Sequence, residues 1–338
     1  MKKSLSTVAL ALSAVISTSA FAANEVNIYS YRQPYLIEPI LKDFEKDTGI
    51  KVNVIFAKKG LVDRVKREGK LSPADVLLTV DVKRLQEIVD AGLAQSIDNE
   101  VLNKNIPSQY HGPNNQWFGL TTRARAVFSS KDRVGKLPAD FNYYDLAKPE
   151  YKGKVCTRSG KHPYNVGLIA SMVAHDGEAK AKAFLEGLKA NLARKPQGND
   201  RGQVKAIKEG ICDYSLGNSY YYGKMINDKD QKAWADSVFI NFPDQDTYGT
   251  HVNVSGIAIA KYAPNKANAI KLAEYLSGAK AQHMYAEVNY EYPVKPGVKA
   301  SELVSSWGTF KADKLPLSVL AEHYKTALKL IDEVQFDL

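Results

Sequence analysis

Catalytic motifs are what this chain of 338 residues most clearly lacks. It contains no Gly-x-Ser-x-Gly turn, no His-Glu-x-x-His pair, no Walker loop and no convincing Gly-x-Gly-x-x-Gly after a strand. Its six histidines show no ligand spacing among themselves or with the cysteines, which disfavours a zinc or haem site. A secreted hydrolase is one alternative, but no nucleophile and base can be named for it. We therefore expect a protein that is not an enzyme.

Long apolar runs are also missing, with one exception at the amino terminus. After residue 22, charged residues interrupt every apolar stretch. Before it, Lys2 and Lys3 precede an apolar run over residues 8–16, and Ala20 and Ala22 supply the small residues of a cleavage site. This order predicts a cleaved secretory signal peptide at residues 1–22. A membrane anchor is the alternative, but the run is too short to cross a bilayer.

Cysteine is scarce, since Cys156 and Cys212 are the only two. An isolated pair in an oxidising compartment usually forms a disulfide, and two buried free thiols are the alternative. Each cysteine lies eight residues before a tyrosine, Tyr164 or Tyr220. We therefore hypothesise that a bond between them ties together the two strands that lead to those tyrosines.

Basic residues outnumber acidic ones but are not clustered in the sequence. The formal net charge is +9, yet the lysines are scattered among acidic residues, as in residues 42–47. No basic stripe interleaved with stacking aromatics is present, so we do not expect nucleic-acid binding. An anionic ligand is a better use of the excess charge.

Strand and helix signals alternate through the first hundred residues. Strands are predicted at residues 26–30, 52–56 and 76–80, with helices at 34–47, at 60–69 and after Asp81, which can cap the last of them. The βαβαβ order favours a parallel sheet with helices on both sides.

The alternation starts again after about residue 150. Strands are predicted at 154–158 and 211–216, and helices at 164–175, 178–191 and 201–209. Two long β-prone segments, 117–129 and 252–261, join the halves. We predict an α/β fold with two lobes, linked by two strand crossings that form a hinge, and a ligand cleft between the lobes. The predicted lobes comprise residues 23–123 plus 249–298, and residues 124–248 plus 299–338.

Tyrosine is unusually abundant, with 19 residues, and several follow predicted strands. These are Tyr31 and Tyr35 after the first strand, Tyr164 after residues 154–158, and Tyr220 and Tyr221 after residues 211–216. Adjacent tyrosines converge only if the backbone turns, and Asn218-Ser219 is a turn signal. Aromatic packing is the plainer explanation. However, phenolate is a hard anionic donor that suits ferric iron and excludes soft metals.

At this point several motifs match a known family. They are Tyr-Ser-Tyr-Arg-Gln-Pro at 29–34, Ser-Pro-Ala-Asp-Val at 72–76, Arg-Ala-Arg at 123–125, Val-Cys-Thr-Arg-Ser-Gly at 155–160, and Gly-Asn-Ser-Tyr-Tyr at 217–221. In this order and spacing the mature chain resembles the periplasmic ferric-iron-binding proteins of Gram-negative bacteria, which are substrate-binding components of iron ABC transporters. The resemblance is closest to the branch from Pasteurellaceae-like bacteria. It implies a type II periplasmic binding protein fold and a periplasmic location.

The resemblance also implies an iron site. Tyr220 and Tyr221 match the paired iron ligands, whereas Gln33 and Val80 stand where the neisserial branch has a His and a Glu. Tyr164 lies in the loop that holds phosphate in that branch, which looks like the branch that uses three tyrosines and a bound carbonate.

Three phenolates and a carbonate exceed the charge of Fe³⁺, so nearby cations are needed. We expect the anion to be bound by Arg32, Arg123, Gln33, Ser159 and Gly160. Arg125 is a weaker candidate than Arg123, and surface solvation or a structural ion pair is the alternative for the arginines. For Tyr31 and Tyr35 we favour packing near the mouth of the cleft.

The resulting functional hypothesis is a monomeric binding protein that carries Fe³⁺ to an inner-membrane ABC permease and its ATPase. Because all three expected protein ligands lie on the second lobe, the first lobe is expected to contribute through the anion and through Arg or Gln contacts. The main alternative keeps the fold and replaces iron by an organic anion, a sugar phosphate or a polyamine, with the tyrosines stacking on it.

Overall fold

The computed structural model describes residues 24–338, so the predicted signal peptide lies outside the described residues. The strands are β1 (Glu25–Ser30), β2 (Lys51–Phe56), β3 (Val76–Thr79), β4 (Phe118–Ser130), β5 (Val155–Cys156), β6 (Tyr214–Asn218), β7 (Val238–Asn241), β8 (Val252–Ile259) and β9 (Tyr292–Pro293). The helices are α1 (Pro34–Thr48), α2 (Leu61–Glu68), α3 (Val82–Asp90), α4 (Glu100–Asn105), α5 (Pro163–Asp176), α6 (Glu178–Ala190), α7 (Asp200–Lys208), α8 (Tyr220–Ile226), α9 (Lys232–Asp236), α10 (Lys266–Ser277), α11 (Ala279–Asn289), α12 (Glu302–Ser305), α13 (Leu317–Glu322) and α14 (Tyr324–Glu333). Short 3₁₀ helices lie at Gly69–Leu71, Ser108–Tyr110, Pro113–Asn115, Tyr143–Ala147 and Pro149–Tyr151. No helix in this range combines the length and the apolar composition that a membrane span requires.

The first sheet confirms the predicted βαβαβ unit. Strand β1 pairs in parallel with β2 on one side and with β3 on the other, and β3 then pairs with β8 in antiparallel orientation. All four residues of β3 are buried, as expected for a strand that is covered on both faces. The carboxyl ends of β1 and β3 therefore lie at the same edge of the sheet.

The helices of this unit begin and end at the residues that their sequence signals indicate. Helix α1 starts at Pro34 and ends at Gly49, whose φ of 67° places it in the left-handed region. Helix α3 is capped by Asp81, whose side chain accepts a hydrogen bond from the backbone N of Arg84.

Strand β4 belongs to both sheets. Its residues up to Ala124 pair with β8, and its residues from Arg125 onward pair with β6 and β7. The second crossing is made by residues 242–251, slightly earlier than predicted, since β8 pairs wholly with β3 and β4. The two crossings touch where the backbone N of Arg125 donates to the carbonyl of His251 at 2.9 Å. The residue ranges of the two lobes stay a prediction.

Two strands of the second sheet differ from their predicted bounds. Strand β5 has only two residues, because it lies at the sheet edge beside β6 and the chain then leaves the ladder. There the Asn165 side chain binds the carbonyls of Arg158 and Ser159 in place of a neighbouring strand. Strand β6 begins at Tyr214 rather than at Ile211, which is 41% exposed.

Cys156 and Cys212 form a disulfide with their Cα atoms 5.9 Å apart. Cys156 is in β5 and Cys212 lies two residues before β6. The bond therefore ties β5 to the start of β6, which are the two strands that lead to Tyr164 and Tyr220.

Replacing both cysteines with alanine is expected to lower the free energy of unfolding by about 4 kcal/mol, because the bond constrains a long loop in the unfolded chain. The two half-cystines are separated by 56 residues in sequence. Urea denaturation of the mature wild type and the variant measures the difference. A loss below about 1 kcal/mol would contradict the expectation.

Candidate metal centre

A cavity of about 240 Å³ opens where the carboxyl ends of strands from both sheets meet. Its walls come from the residues that follow β1, β3 and β6, from the first turn of α5, and from β4 and β8. Ligand sites of open α/β folds lie at such strand ends. The lining residues are Tyr31, Arg32, Gln33, Tyr35, Leu36, Lys58, Val80, Arg84, Arg123, Tyr164, Tyr220, Tyr221, Ser255 and Glu291.

Each of the three predicted ligand tyrosines lies in the first turn of a helix. Tyr164 is the second residue of α5, and its backbone N donates to Nδ1 of His162 at 3.3 Å. Tyr220 and Tyr221 are the first two residues of α8, so the turn predicted at Asn218-Ser219 is present. Consecutive side chains on a helix lie about 100° apart, whereas on a strand they point to opposite faces. This change of backbone brings both adjacent tyrosines into the cavity.

The three phenols form one cluster. The hydroxyl oxygens of Tyr164 and Tyr220 are 3.2 Å apart, within hydrogen-bond distance. The ring centroids of Tyr220 and Tyr221 are 4.2 Å apart with the ring planes tilted by 35°. Residues separated in sequence by more than fifty positions thus present hydroxyl groups to the same cavity.

Burial keeps Tyr220 and Tyr221 protonated. It raises the pKa of Tyr220 well above the usual value for tyrosine, and the neighbouring Tyr164 and Tyr221 raise that pKa further, whereas Arg123 lowers it. Burial also raises the pKa of Tyr221, with Tyr164 as the next cause. Burial lowers the pKa of His162 to about 3, so its imidazole is neutral and serves as the cap of α5. A ligand that needs phenolates must therefore displace protons.

A buried ion pair supports the tyrosines from behind. Asp200 accepts from Arg125 at 2.7 Å, from Arg158 at 3.2 Å and from the backbone N of Asn218 at 2.9 Å. Arg125 also donates to Asn165, the residue after Tyr164. Burial alone would raise the pKa of the Asp200 carboxyl, but Arg125 and then Arg158 outweigh it and hold that pKa below its usual range. Arg125 therefore makes a structural ion pair and does not line the cavity.

Two other arginines line the cavity. Arg32 and Arg123 both donate to the hydroxyl of Ser255, at 2.5 Å and 2.9 Å. Arg32 also forms an ion pair with Glu291 at 2.5 Å. Burial lowers the pKa of Arg32, but Glu291 more than offsets this effect and leaves that pKa raised. The Nε atoms of both guanidinium groups are buried without a hydrogen-bond partner within residues 24–338.

The structure brings some of the other predicted residues together and separates others. Gln33 and Val80 line the cavity, so the positions matching the neisserial His and Glu are in place without those side chains. Ser159 and Gly160 do not line it, because the Ser159 hydroxyl and the Gly160 backbone N both donate to the carboxylate of Asp337. Sequence reasoning could not foresee a partner almost two hundred positions away.

Tyr31 and Tyr35 line the cavity at its outer side. The hydroxyl of Tyr31 accepts from the backbone N of Val62 at 3.1 Å, and the guanidinium of Arg84 lies 4.6 Å from its ring centroid. Tyr35 is 62% exposed. These contacts support the predicted packing near the mouth.

Five polar residues of the site were not foreseen from the sequence: Lys58, Arg84, Asp200, Ser255 and Glu291. Lys58 and Arg84 lie among many similar charged residues, and no local motif marks the other three. Only a contact map would have found them. Within residues 24–338 no group of three or more His, Cys, Asp or Glu side chains is arranged to hold a metal ion. In the described part of the chain, the phenol cluster is therefore the arrangement that offers several hard anionic donors to one cation.

Comparison with known proteins places this geometry in a family. The profile of the bacterial extracellular solute-binding proteins matches residues 29–283. The chain belongs to that family. A relative of this solute-binding protein, Iron uptake protein A1 of Synechocystis, is 42% identical over 313 residues, which cover 91% of this chain and 86% of the relative.

Solved structures extend the comparison. The apo ferric ion-binding protein A of Pasteurella haemolytica shares 70% identity with this solute-binding protein, with a TM-score of 0.89 and coverage of 94% of this chain and 99% of that one. The Trichodesmium protein IdiA (FutA), solved with iron and citrate ligands, shares 40% identity, with a TM-score of 0.88 and coverage of 92% and 99%. The predicted two-lobed α/β fold of the type II binding proteins is confirmed.

Replacing Asp200 with asparagine is expected to lower the free energy of unfolding by about 3–5 kcal/mol, because it leaves the buried guanidinium of Arg125 and the partly buried one of Arg158 without their counter-ion. Urea denaturation measures the loss. Asp213→Asn is the matched control, since its ion pair with Arg133 is partly exposed and should be worth less than about 1 kcal/mol. Equal losses in the two variants would contradict the assignment.

Proposed function

We propose that this protein captures Fe³⁺ between the phenolate oxygens of Tyr164, Tyr220 and Tyr221, together with a small anion. The observation that carries the proposal is the 3.2 Å approach of two phenol oxygens from separate helices in a cavity that the third phenol also lines. The ferric-binding names of the similar proteins support the same ligand for this chain.

Charge and hardness both favour a ferric ion. Fe³⁺ is a small, highly charged acid, and phenolate is a hard oxygen donor. Three phenolates neutralise its three positive charges, so the metal and its three protein ligands together carry no net charge. The protons that burial keeps on Tyr220 and Tyr221 must then leave.

The buried arginines of the cavity support the anion. Arg32 and Arg123 meet at one neutral hydroxyl, that of Ser255, and Glu291 is the single carboxylate among the lining residues. Two buried guanidinium groups with unpartnered Nε atoms are poorly compensated by one carboxylate. We propose carbonate as the anion, bound by Arg32, Arg123 and Gln33. Citrate, found with iron in the Trichodesmium protein, is the competing anion that experiment must compare.

Transport follows from the family. An extracellular solute-binding protein hands its ligand to a membrane transporter, and we propose the periplasm as the location and an inner-membrane ABC permease with its ATPase as the partner. We further propose that the protein acts as a monomer. Because the three tyrosines come from α5 and α8 in the second lobe, the first lobe acts on iron mainly through the anion. The open and closed iron-loaded forms should therefore lie close in free energy.

Adding Fe³⁺ and bicarbonate to the purified protein is expected to produce a visible phenolate-to-iron charge-transfer band. Changing Tyr164, Tyr220 or Tyr221 to phenylalanine removes one ligand and should weaken iron binding by at least about a hundredfold. Loss of a residue that only hydrogen-bonds to a metal ligand already costs up to about a hundredfold in metal affinity, and loss of a ligand itself should cost no less. Competition with a chelator of known affinity measures the change.

Two matched controls separate ligation from packing. Tyr222→Phe changes the next residue of α8, whose ring packs 5.4 Å from that of Trp307 and does not line the cavity. Tyr31→Phe changes a cavity phenol outside the cluster. Both should keep the band. A colourless protein that binds a sugar phosphate or another organic anion tightly would support the alternative ligand instead.

Iron affinity is expected to fall steeply with acid. Burial raises the pKa of Tyr220 and Tyr221, so both are protonated at neutral pH without metal, and iron must displace these protons. With these two neutral phenols the affinity should drop at least about a hundredfold for each pH unit. Proton release in weak buffer, measured during iron loading, should be smaller by one proton in Tyr221→Phe. Equal release in the two proteins would contradict ligation by Tyr221.

A further inference from the structure

Glu291 is the carboxylate that lines the cavity, and neither the iron site nor the anion site described above uses it. It follows Tyr290, which ends α11 in the left-handed region with φ 59°. This turn aims the side chain inward, and the residue is only 4% exposed. A buried carboxylate in a cavity proposed for anions needs an explanation, because it repels them.

Its contacts occupy one oxygen only. Oε2 accepts from Nη2 of Arg32 at 2.5 Å and from the hydroxyl of Thr121 at 2.9 Å. Oε1 makes no hydrogen bond within residues 24–338. The side chain is thus held by Arg32 and Thr121 at the lining of the cavity.

Arg32 has few free donors for an incoming anion. Its Nη1 donates to Ser255, its Nη2 donates to Glu291 and its Nε is buried, so an incoming carbonate meets a guanidinium that already has a counter-ion. Bound in the same cavity, the carbonate also faces the negative charge of Glu291 at short range. Either effect weakens anion binding, and both are absent when the negative charge of Glu291 is removed.

We propose that Glu291 is the resident counter-ion of Arg32, which the synergistic anion must displace. In the anion-free protein Glu291 neutralises Arg32 and so limits the cost of a buried, unpaired guanidinium. When the anion binds, Nη2 of Arg32 passes from Glu291 to the anion. Glu291 therefore lowers anion affinity and favours release of the anion together with iron. This inference rests on the proposed function and assigns a competitor within that same site.

The test is a bicarbonate titration of the charge-transfer band. Ferrous ammonium sulfate is oxidised by pure oxygen in carbonate-free buffer that contains the mature protein, and bicarbonate is then increased. Glu291→Gln keeps the shape and the acceptor oxygen of the side chain but removes its charge. We expect its half-maximal bicarbonate concentration to be about tenfold lower than that of the wild type. This factor assumes that removing the charge of Glu291 favours the bound anion by as much free energy as a shift of one pKa unit represents.

Two further variants separate local from general effects. Glu68→Gln makes the same change of net charge in the same lobe, at a carboxylate that binds Tyr29, Arg64 and Ser72 and does not line the cavity. It should leave the midpoint unchanged. Thr121→Val removes a hydrogen bond to Oε2 but keeps the charge, so it should shift the midpoint less than Glu291→Gln.

The outcomes distinguish the two proposals. A full band whose midpoint in Glu291→Gln is unchanged or higher overturns the competitor role and leaves the iron site intact. Absence of a band in the wild type overturns the proposed function, and this inference with it. Should Glu291→Gln not fold, a crystal structure of the wild type loaded with iron and bicarbonate decides. Separation of Arg32 Nη2 from Glu291 beyond hydrogen-bond reach is expected, and a retained ion pair overturns the proposal.

Discussion

The ion pair between Arg125 and Asp200 is the contact on which the tyrosine side of the cavity depends. Arg125 stands at the residue of β4 where pairing passes from the first sheet to the second. Asp200 binds Arg125, Arg158 and the backbone of Asn218 at once, and Arg125 reaches Asn165. Because Asn165 follows Tyr164 and Asn218 precedes Tyr220 by two residues, one buried carboxylate sets the distance between phenols on two helices.

The disulfide acts on the same strands from the other end. It joins β5 to the chain just before β6, while Asp200 joins the loops that leave these strands. The disulfide and the contacts of Asp200 thus hold this short segment of the sheet at its two ends. Such a segment can hold three bulky phenols close together, although burial of their hydroxyl groups is unfavourable without partners.

The cavity combines phenols with charged groups. Its charged lining residues are Arg32, Lys58, Arg84 and Arg123, with Glu291 as the single carboxylate. In the proposed complex the metal replaces protons on the phenols, and the anion replaces Glu291 at Arg32. Each ligand then raises the affinity for the other, because the metal attracts the anion and the anion compensates the arginines.

Much of the fold was predictable from local signals. The βαβαβ unit, the Asp81 cap and the Gly49 stop depend on hydrophobic period and on backbone preferences of single residues, which neighbours in sequence decide. Strand β5 was overestimated because its length depends on contacts outside the strand itself: the chain leaves the ladder after Cys156, although its partner β6 continues to Asn218. For the same reason Ser159 and Gly160 were expected at the anion, whereas Asp337 from the carboxyl terminus binds them.

By itself, the sequence determined the α/β architecture, the type of donor and the turn that presents Tyr220 and Tyr221, since these follow from residue chemistry and local backbone preference. Only the tertiary structure decided which charges share the cavity. It separated Arg125 from Arg123, although the two are alternate residues of one strand, and it placed Glu291 against Arg32 across 259 positions of chain. Long-range packing makes these choices, because Coulomb interactions and burial depend on distance in space and not on distance in sequence.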